Sequence, residues 1–435
     1  MARELFGTDG VRGKAGEYPL DSEGAMAIGS AVGQLFCQPG DQVLIGCDPR
    51  ESSAGLVSSL TAGLIRQGVS VLSVGIITTP GLAYLTRESK VAAGVMVTAS
   101  HNPFNYNGVK VFDGTGGKLS DDTEHQLNDL IESGVAPAEQ PGSSALDESL
   151  IKHYEDFLVS SSEGLQLHGL KLAVDMANGS ASGLAQRVFE RLGAQVTPLF
   201  DQPDGRNIND HCGATDVTEL ERVVSAQACD LGVAFDGDAD RLIMVDGQGR
   251  AVKGDYLLYL LAVTGHTKGV VATVMSNLGF EQALLKQGIA VERTAVGDRY
   301  VLEGLEKTGY ELGGEQSGHI VLPRLLQTGD GILAAVQVLK ALQGSDKSLA
   351  QWCDEVPLLP QALVNIELTD RQLLDKPEIQ QYIEQQTQQL AGRGRLLIRP
   401  SGTEPLARVM VEAPQAEAEA QRISSELAER LKGAA

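Results

Sequence analysis

A chain of 435 residues, 42% hydrophobic and 21% charged, has the composition of a globular protein but is too long for a single core, and should divide into roughly three or four domains. Its 57 acidic against 35 basic residues leave a formal net charge of -22 with no Lys/Arg-rich block, which argues against a nucleic-acid or anionic-membrane partner. An anionic substrate would need a local basic pocket within a repelling field.

The five cysteines, Cys37, Cys47, Cys212, Cys229 and Cys353, are widely spaced without a C-x-x-C pair, and read as reduced core residues rather than a zinc or redox centre. The first residues lack the apolar stretch of a signal peptide. The strongest apolar run, Leu257 to Val263, is too short to span a bilayer, so a cytoplasmic location is expected.

In chain order, Phe6-Gly7-Thr8-Asp9-Gly10-Val11-Arg12-Gly13 places three glycines in a short span and reads as a loop rather than an element interior, with Arg12 as its lasting charge. Strand-like Val43 to Gly46, a helical pattern through Leu56, Leu60 and Leu64, and strands at Val69 to Val74 and Val91 to Val97 alternate as in an α/β layer. Gly108 to Phe112 reads as a further strand that sets Lys110 beside the loop after Val97. A glycine turn then precedes a helix opening on Asp121, Asp122 and Glu124. The proline- and glycine-bearing stretch 136–144 marks a boundary. A second α/β unit has strands at Leu172 to Asp175 and Leu231 to Phe235, and a third near Val270 to Val274 and Ala290 to Thr294. Beyond Pro357 and Pro360 the order becomes strand, Gln/Glu-rich helix, two strands and a terminal helix, a small α+β domain. The expected fold is therefore α/β: three α/β domains, 1–146, 147–250 and 251–360, around a central cleft, plus a smaller C-terminal α+β domain, 361–435. Their similar spacing suggests related modules, although no repeat is visible in the residues.

Four loops carry residues suited to chemistry. Thr98-Ala99-Ser100-His101-Asn102-Pro103 follows a buried strand at the end where open α/β sheets place ligands. Ser100 and His101 are not expected to form a dyad, because neighbours on an extended chain point to opposite sides; without a G-x-S-x-G elbow, hydrolase logic does not fit. In Asp236-Gly237-Asp238-Ala239-Asp240-Arg241, three carboxylates at alternate positions repel one another unless a cation lies among them. Oxygen ligands suit Mg²⁺, and an EF-hand is excluded because its Gly and Glu positions hold Arg241 and Gly247. Mg²⁺ commonly completes its shell with a phosphate oxygen, which points to a phosphorylated Ser100 carrying about -1.5 to -2 charges. Arg12, Lys110 and Arg241 are candidates to balance that charge.

Gly313-Gly314-Glu315-Gln316-Ser317-Gly318-His319 brings backbone near a ligand, with Glu315 and Ser317 able to read sugar hydroxyls or an amine and His319 able to move protons. Gly297, Asp298 and the Thr328-Gly329-Asp330 stretch line the same cleft or cap helices. Arg399-Pro400-Ser401-Gly402-Thr403-Glu404-Pro405 reads as a phosphate cradle or a simple hairpin turn. No G-x-x-x-x-G-K-[ST] loop is present to hold ATP, so the phosphoryl group would come from the protein itself. Donating it to a monophosphate and recovering the other phosphate is an isomerisation.

These four motifs, in this order over essentially the whole chain, resemble the α-D-phosphohexomutase superfamily and, within it, the bacterial phosphoglucosamine mutases. The resemblance implies that Ser100 is phosphorylated and that Asp236, Asp238 and Asp240 bind one Mg²⁺ together with an oxygen of the Ser100 phosphate. Arg12, Lys110, His101 and His319 are the implied catalytic candidates, with Arg241 and Asn102 around the phosphoserine. Glu315, Ser317, Gly297 and Asp298 would meet the sugar, and Arg399, Ser401, Gly402, Thr403 and Arg408 the distal phosphate as the last domain closes. The reaction implied is interconversion of glucosamine 6-phosphate and glucosamine 1-phosphate through the 1,6-bisphosphate, toward UDP-N-acetylglucosamine, by a monomer or homodimer. Thr98 and Ala239 depart from the commoner Ser and Gly of the subgroup, and Gly46-Cys47-Asp48-Pro49-Arg50 lacks the basic residue usual before the Asp. A phosphomannomutase or phosphoglucomutase, and a non-catalytic sugar-phosphate sensor, are the competing readings.

Overall fold

The computed structural model describes residues 5–6, 10–38, 40–368, 370–400 and 405–434. They form two units, Met1–Met275 with Gly288–Asp354, and Ser276–Gln287 with Glu355–Ala435.

The first unit holds three mixed sheets. The first contains β1 (Val11–Lys14), β2 (Gln42–Cys47), β3 (Ser70–Ile76), β4 (Ala93–Val97), β5 (Tyr106–Asp113) and β6 (Ser144–Leu146), in the order β1-β5-β4-β2-β3-β6. Helices α1 (Ser22–Phe36), α2 (Ser53–Arg66), α3 (Thr79–Ser89) and α4 (Asp121–Ser133) accompany it. After α5 (Ile151–Ser160), the second sheet has β7 (Lys171–Asp175), β8 (Gln195–Leu199), β9 (Leu231–Phe235), β10 (Leu242–Val245) and β11 (Ala251–Val252), with α6 (Leu184–Arg191) and α7 (Thr218–Ala226). Its order is β11-β10-β9-β7-β8. After α8 (Gly254–Thr264), the third sheet has β12 (Gly269–Thr273), β13 (Ala290–Thr294), β14 (Gly313–Gly314) and β15 (Ile320–Val321), in the order β13-β12-β14-β15. Helices α10 (Asp298–Thr308), α11 (Gly331–Gln343) and α12 (Leu349–Asp354) complete this unit, whereas α9 (Leu278–Lys286), between β12 and β13 in the chain, belongs to the second unit.

The three sheets share one wiring. A first strand pairs in parallel with the next strand on one side and the one after on the other, and the chain then turns back antiparallel: β2-β3-β4-β5, β7-β8-β9-β10 and β12-β13-β14-β15. The repeat suggested by spacing is therefore one of topology. In each module the connection from third to fourth strand carries a chemistry-bearing loop: residues 98–105, 236–241 and 315–319. Ligands gather at the carboxyl ends of parallel strands, and β4, β9 and β14 all deliver their loops at that end.

One local expectation is corrected. Val11–Lys14 is a strand, not a loop, because β5 offers it a full antiparallel ladder from Val11↔Val109 to Lys14↔Tyr106 and Val11 is buried in the core. Gly10, just before it, takes φ +83°, and a Cβ there would fall 2.4 Å from the Val109 carbonyl. The stretch expected as a boundary ends in β6, paired with β3 at Val71↔Ser144. Strand β8 is hidden in the sequence by Pro198, which an edge strand tolerates. Apolar Leu257 to Leu260 sit in α8 and are buried all round, the signature of a core helix. No helix among the described residues is long and apolar enough to cross a membrane. All five cysteines are free, and burial pushes the Cys47 and Cys212 thiols up to about 12, so they stay protonated.

The second unit is α+β. Strands β16 (Gln361–Glu367), β17 (Arg395–Pro400) and β18 (Leu406–Glu412) form an antiparallel sheet ordered β16-β18-β17, with α13 (Pro377–Leu390) and α14 (Ala416–Ala434). Ile379, Tyr382, Leu390, Ile423 and Leu427 on these helices pack against Val409 and Val411.

Candidate active site

Ser100 lies just past β4 with φ +49°, a left-handed conformation uncommon for a residue with a side chain and one that must be held from outside. Thr98 begins the hold: its Oγ1 accepts from Ser100 N at 2.9 Å and donates to Asp48 Oδ2 at 2.7 Å. A serine could make both bonds, so Thr98 keeps the function of the commoner residue. Arg50, 2% exposed, spends all five N–H donors here. Nε meets Asp48 Oδ2 at 2.8 Å, Nη2 the carbonyls of Ser100 at 2.8 Å and Asn102 at 2.9 Å, and Nη1 those of Pro103 and Tyr106. Asn209 Nδ2 reaches the Ser100 and Asn102 carbonyls at 2.9 and 3.2 Å from the second sheet's module. Sequence reasoning missed Asp48, Arg50 and Asn209. An Asp-Pro-Arg turn after β2 was visible, but not the adjacency of β2 and β4 that aims it at Ser100.

Asp236, Asp238 and Asp240 are all buried, and each offers a carboxylate oxygen within 4.8 Å of the others. Ser100 Oγ donates to Asp236 Oδ2 at 2.7 Å, so the serine and the acidic loop meet. Lys110 Nζ, on β5, lies 2.9 Å from Asp238 Oδ2 and 3.6 Å from Asp240 Oδ2. Arg241 Nε stands 3.8 Å from Asp240 Oδ1. Glycine is required at 237, where a Cβ would fall 2.6 Å from the Ser100 carbonyl. Ala239 takes φ +58°, which a glycine would adopt at less cost.

Burial, then the charges of Asp240 and Asp238, push the Asp236 carboxyl well above the usual range. The three buried carboxylates crowd into one place, with Lys110 and Arg241 as the cations at measured distances from them. Asp240 Oδ1, buried, has no hydrogen-bond partner among the described residues. This all-oxygen set fits a hard divalent cation. Protons and the cation then compete for the same oxygens, so Mg²⁺ binding should release protons and tighten as pH rises. Calorimetric titration in buffers of different ionisation enthalpy measures both effects.

The expectation that Ser100 and His101 point apart is overturned: His101 Nδ1 lies 3.3 Å from Ser100 Oγ. The chain is not extended there, and the left-handed turn at Ser100 swings the ring round. Burial first, then Arg241 and Arg12, lower the imidazole to about 4, leaving it neutral at physiological pH and able to accept a proton. A depressed folded-state value means that its contribution to stability is full above the unfolded value near 6.5 and is lost as pH falls toward 4. NMR titration of the unphosphorylated protein should give a His101 midpoint near 4; a midpoint above 6 contradicts the placement.

The third loop is the β14–β15 turn. Gly318, at φ +93°, packs against β10, where a Cβ would fall 2.1 Å from the Leu242 carbonyl. Glu315 Oε1 accepts from Gly297 N at 3.1 Å, and Ser317 Oγ approaches Glu315 Oε2 at 3.4 Å, which joins three of the expected sugar contacts. Buried His319 sits between two acids, Nδ1 3.8 Å from Asp240 Oδ2 and Nε2 3.8 Å from Asp298 Oδ2. Asp298 also pairs with Lys118, which the sequence did not single out. Asp330 is the cap of α11, its Oδ1 accepting from Leu333 N at 2.9 Å.

In the second unit, Arg399 and Arg408 face each other across β17 and β18. Burial and the Arg408 charge lower the Arg399 guanidinium. Like charges directly opposite destabilise a strand pair, and an anion relieves the repulsion. The expected partners Ser401, Gly402 and Thr403 lie outside the described residues.

The chain matches the four parts of the family described as phosphoglucomutase/phosphomannomutase: alpha/beta/alpha domain I over residues 3–137, domain II over 149–249, domain III over 253–358 and the C-terminal domain over 363–430. It is 44% identical over 433 residues to a phosphoglucosamine mutase of Thermus thermophilus, covering 99% of this chain and 98% of that one. It is also 44% identical over 428 residues to that of Streptococcus sanguinis, covering 94% of each. Among solved structures, a phosphoglucomutase/phosphomannomutase family protein of Burkholderia thailandensis superposes with a TM-score of 0.83 at 26% identity, over 100% of this chain and 98% of that one. An Aspergillus fumigatus N-acetylphosphoglucosamine mutase shares the fold, with a TM-score of 0.68 at 20% identity over 99% of this chain and 96% of that one. With a serine loop on its acidic trio and relatives this similar along nearly its whole length, the chain belongs to the phosphoglucomutase/phosphomannomutase family and, within it, to the phosphoglucosamine mutases.

Proposed function

We propose that the protein interconverts glucosamine 6-phosphate and glucosamine 1-phosphate through a phosphorylated Ser100 and glucosamine 1,6-bisphosphate. The observation that carries the reading is the Ser100 hydroxyl 2.7 Å from Asp236 in a buried trio of acids. A free sugar hydroxyl attacks the phosphorus of phospho-Ser100. The bond from phosphorus to Oγ breaks, and Oγ takes a proton while the hydroxyl gives one up. The bisphosphate turns round, Oγ attacks its other phosphoryl group, and the isomeric monophosphate leaves with the protein rephosphorylated.

Asp236, Asp238 and Asp240 would hold Mg²⁺, whose charge offsets that of the phosphoryl oxygens. Arg12, Lys110 and Arg241 add fixed positive charge around the phosphoserine. Neutral His101 is placed to exchange a proton with Oγ, and His319, between Asp240 and Asp298, is the candidate for the sugar hydroxyl. Glu315, Ser317 and the Gly297-Asp298 turn read the sugar, with the Glu315 carboxylate suited to an amino group. Arg399 and Arg408, with the 401–403 loop, take the phosphate that is not reacting.

Comparing kcat/KM for the 6-phosphates of glucosamine, glucose and mannose tests the substrate; a preference for either neutral sugar rejects glucosamine. Arg399→Ala should raise KM roughly 10- to 100-fold, the loss of a charge-assisted contact of about 1.5–3 kcal/mol. Unchanged KM and kcat would show that the arginine pair has another purpose.

A further inference from the structure

We infer that Thr79, which none of the sequence motifs includes, positions the metal ligand Asp238 and thereby sets the affinity of the acidic trio for its divalent cation. The inference rests on the metal reading of Asp236, Asp238 and Asp240. Thr79 is the first residue of α3, in the first sheet's module, while Asp238 lies in the loop after β9 of the second. The two are joined twice. Thr79 Oγ1 donates to Asp238 Oδ2 at 2.6 Å, and Thr79 N donates to the Asp238 carbonyl at 3.0 Å. Both residues are buried, at 2% and 0% exposure. Lys110 Nζ meets the same Oδ2 at 2.9 Å, so one carboxylate oxygen takes two donors from fixed elements and its orientation is set. A ligand held this way meets the cation without first losing rotamer freedom.

The support behind Thr79 is closed into a ring. Thr78 caps α3, its Oγ1 accepting from Gly81 N at 3.1 Å, and it also hydrogen-bonds the Tyr154 side chain. Tyr154 OH donates to Asp330 Oδ2 at 2.7 Å, and Asp330 caps α11. The first residue of α11, Gly331, donates its N–H to the Ala239 carbonyl at 2.9 Å, returning to the acidic loop. Two helix starts from different modules thus grip consecutive residues of the metal loop, Asp238 and Ala239. Of the contacts in this ring, the Thr79 hydroxyl is the side-chain donor that reaches a metal ligand.

The experiment measures Mn²⁺ affinity by electron paramagnetic resonance, and Mg²⁺ affinity by competition, on the full-length unphosphorylated protein and its Thr79→Val and Thr79→Ser variants, with circular dichroism to check folding. Thr79→Val should bind about 10- to 100-fold more weakly, and Thr79→Ser, which keeps the hydroxyl, within about threefold of the parent. Turnover of phosphorylated Thr79→Val should recover as Mg²⁺ is raised, an effect that a merely structural threonine does not produce. Equal affinity in a folded Thr79→Val overturns the inference and leaves the metal reading intact. If Thr79→Val does not fold, Thr79→Ser decides: near-parental affinity supports the inference, and a tenfold loss with the hydroxyl retained rejects it. A parent protein that binds neither ion overturns both readings.

Discussion

Ser100→Ala should lose at least about 10³-fold in turnover, because it removes the atom that would carry the phosphoryl group rather than one that assists it. The fold should survive. Oγ makes one strong bond, to Asp236 at 2.7 Å, and its loop is held through the Ser100 carbonyl and amide, which alanine keeps. The left-handed φ of +49° is no harder for alanine than for serine. A coupled assay for glucosamine 1-phosphate, with the thermal midpoint measured alongside, separates the two effects. Residual activity above a hundredth of the parent in a protein free of parental enzyme would mean that another group accepts the phosphoryl.

Arg50→Ala should be the most damaging substitution to stability near the site, at about 3–5 kcal/mol. It leaves the Asp48 carboxylate, fully buried, without its guanidinium and strips a donor from four backbone carbonyls. Turnover should fall as well, since the conformation that aims Ser100 at Asp236 loses its main support. Arg50→Lys should recover only part of both, because three ammonium donors on a flexible stem cannot reproduce a planar fork with five. Denaturant midpoints of the three proteins measure the effect. A loss under about 1 kcal/mol for the alanine variant would place Arg50 among the surface ion pairs, contrary to its burial.

The parts legible in the sequence were those written in neighbouring residues. Alternating acids at 236, 238 and 240 announced a cation, and the apolar runs that become β2, β4, β9 and β12 announced the α/β class. Strand order was not legible, because it depends on which runs pair. The role of Arg50 depends on β2 lying beside β4, a pairing that no neighbouring residue announces. Thr79 likewise meets its partner only because α3 begins at the Asp238 loop. The His101 expectation failed for the same reason at smaller scale: a single left-handed residue decides where a side chain points, and Ser100 carries no signal for it. Short β1, β6 and β8 escaped because their pairing comes from a neighbour and not from their own composition.

A single-turnover label transfer tests the central claim most directly. Protein carrying ³²P on Ser100 is mixed with unlabelled glucosamine 6-phosphate and quenched over one cycle. The label should leave the serine, appear in glucosamine 1,6-bisphosphate and then in glucosamine 1-phosphate, while Ser100 regains an unlabelled phosphoryl group from the substrate. Label that stays on the protein through repeated turnovers, or leaves only as inorganic phosphate, would contradict the account.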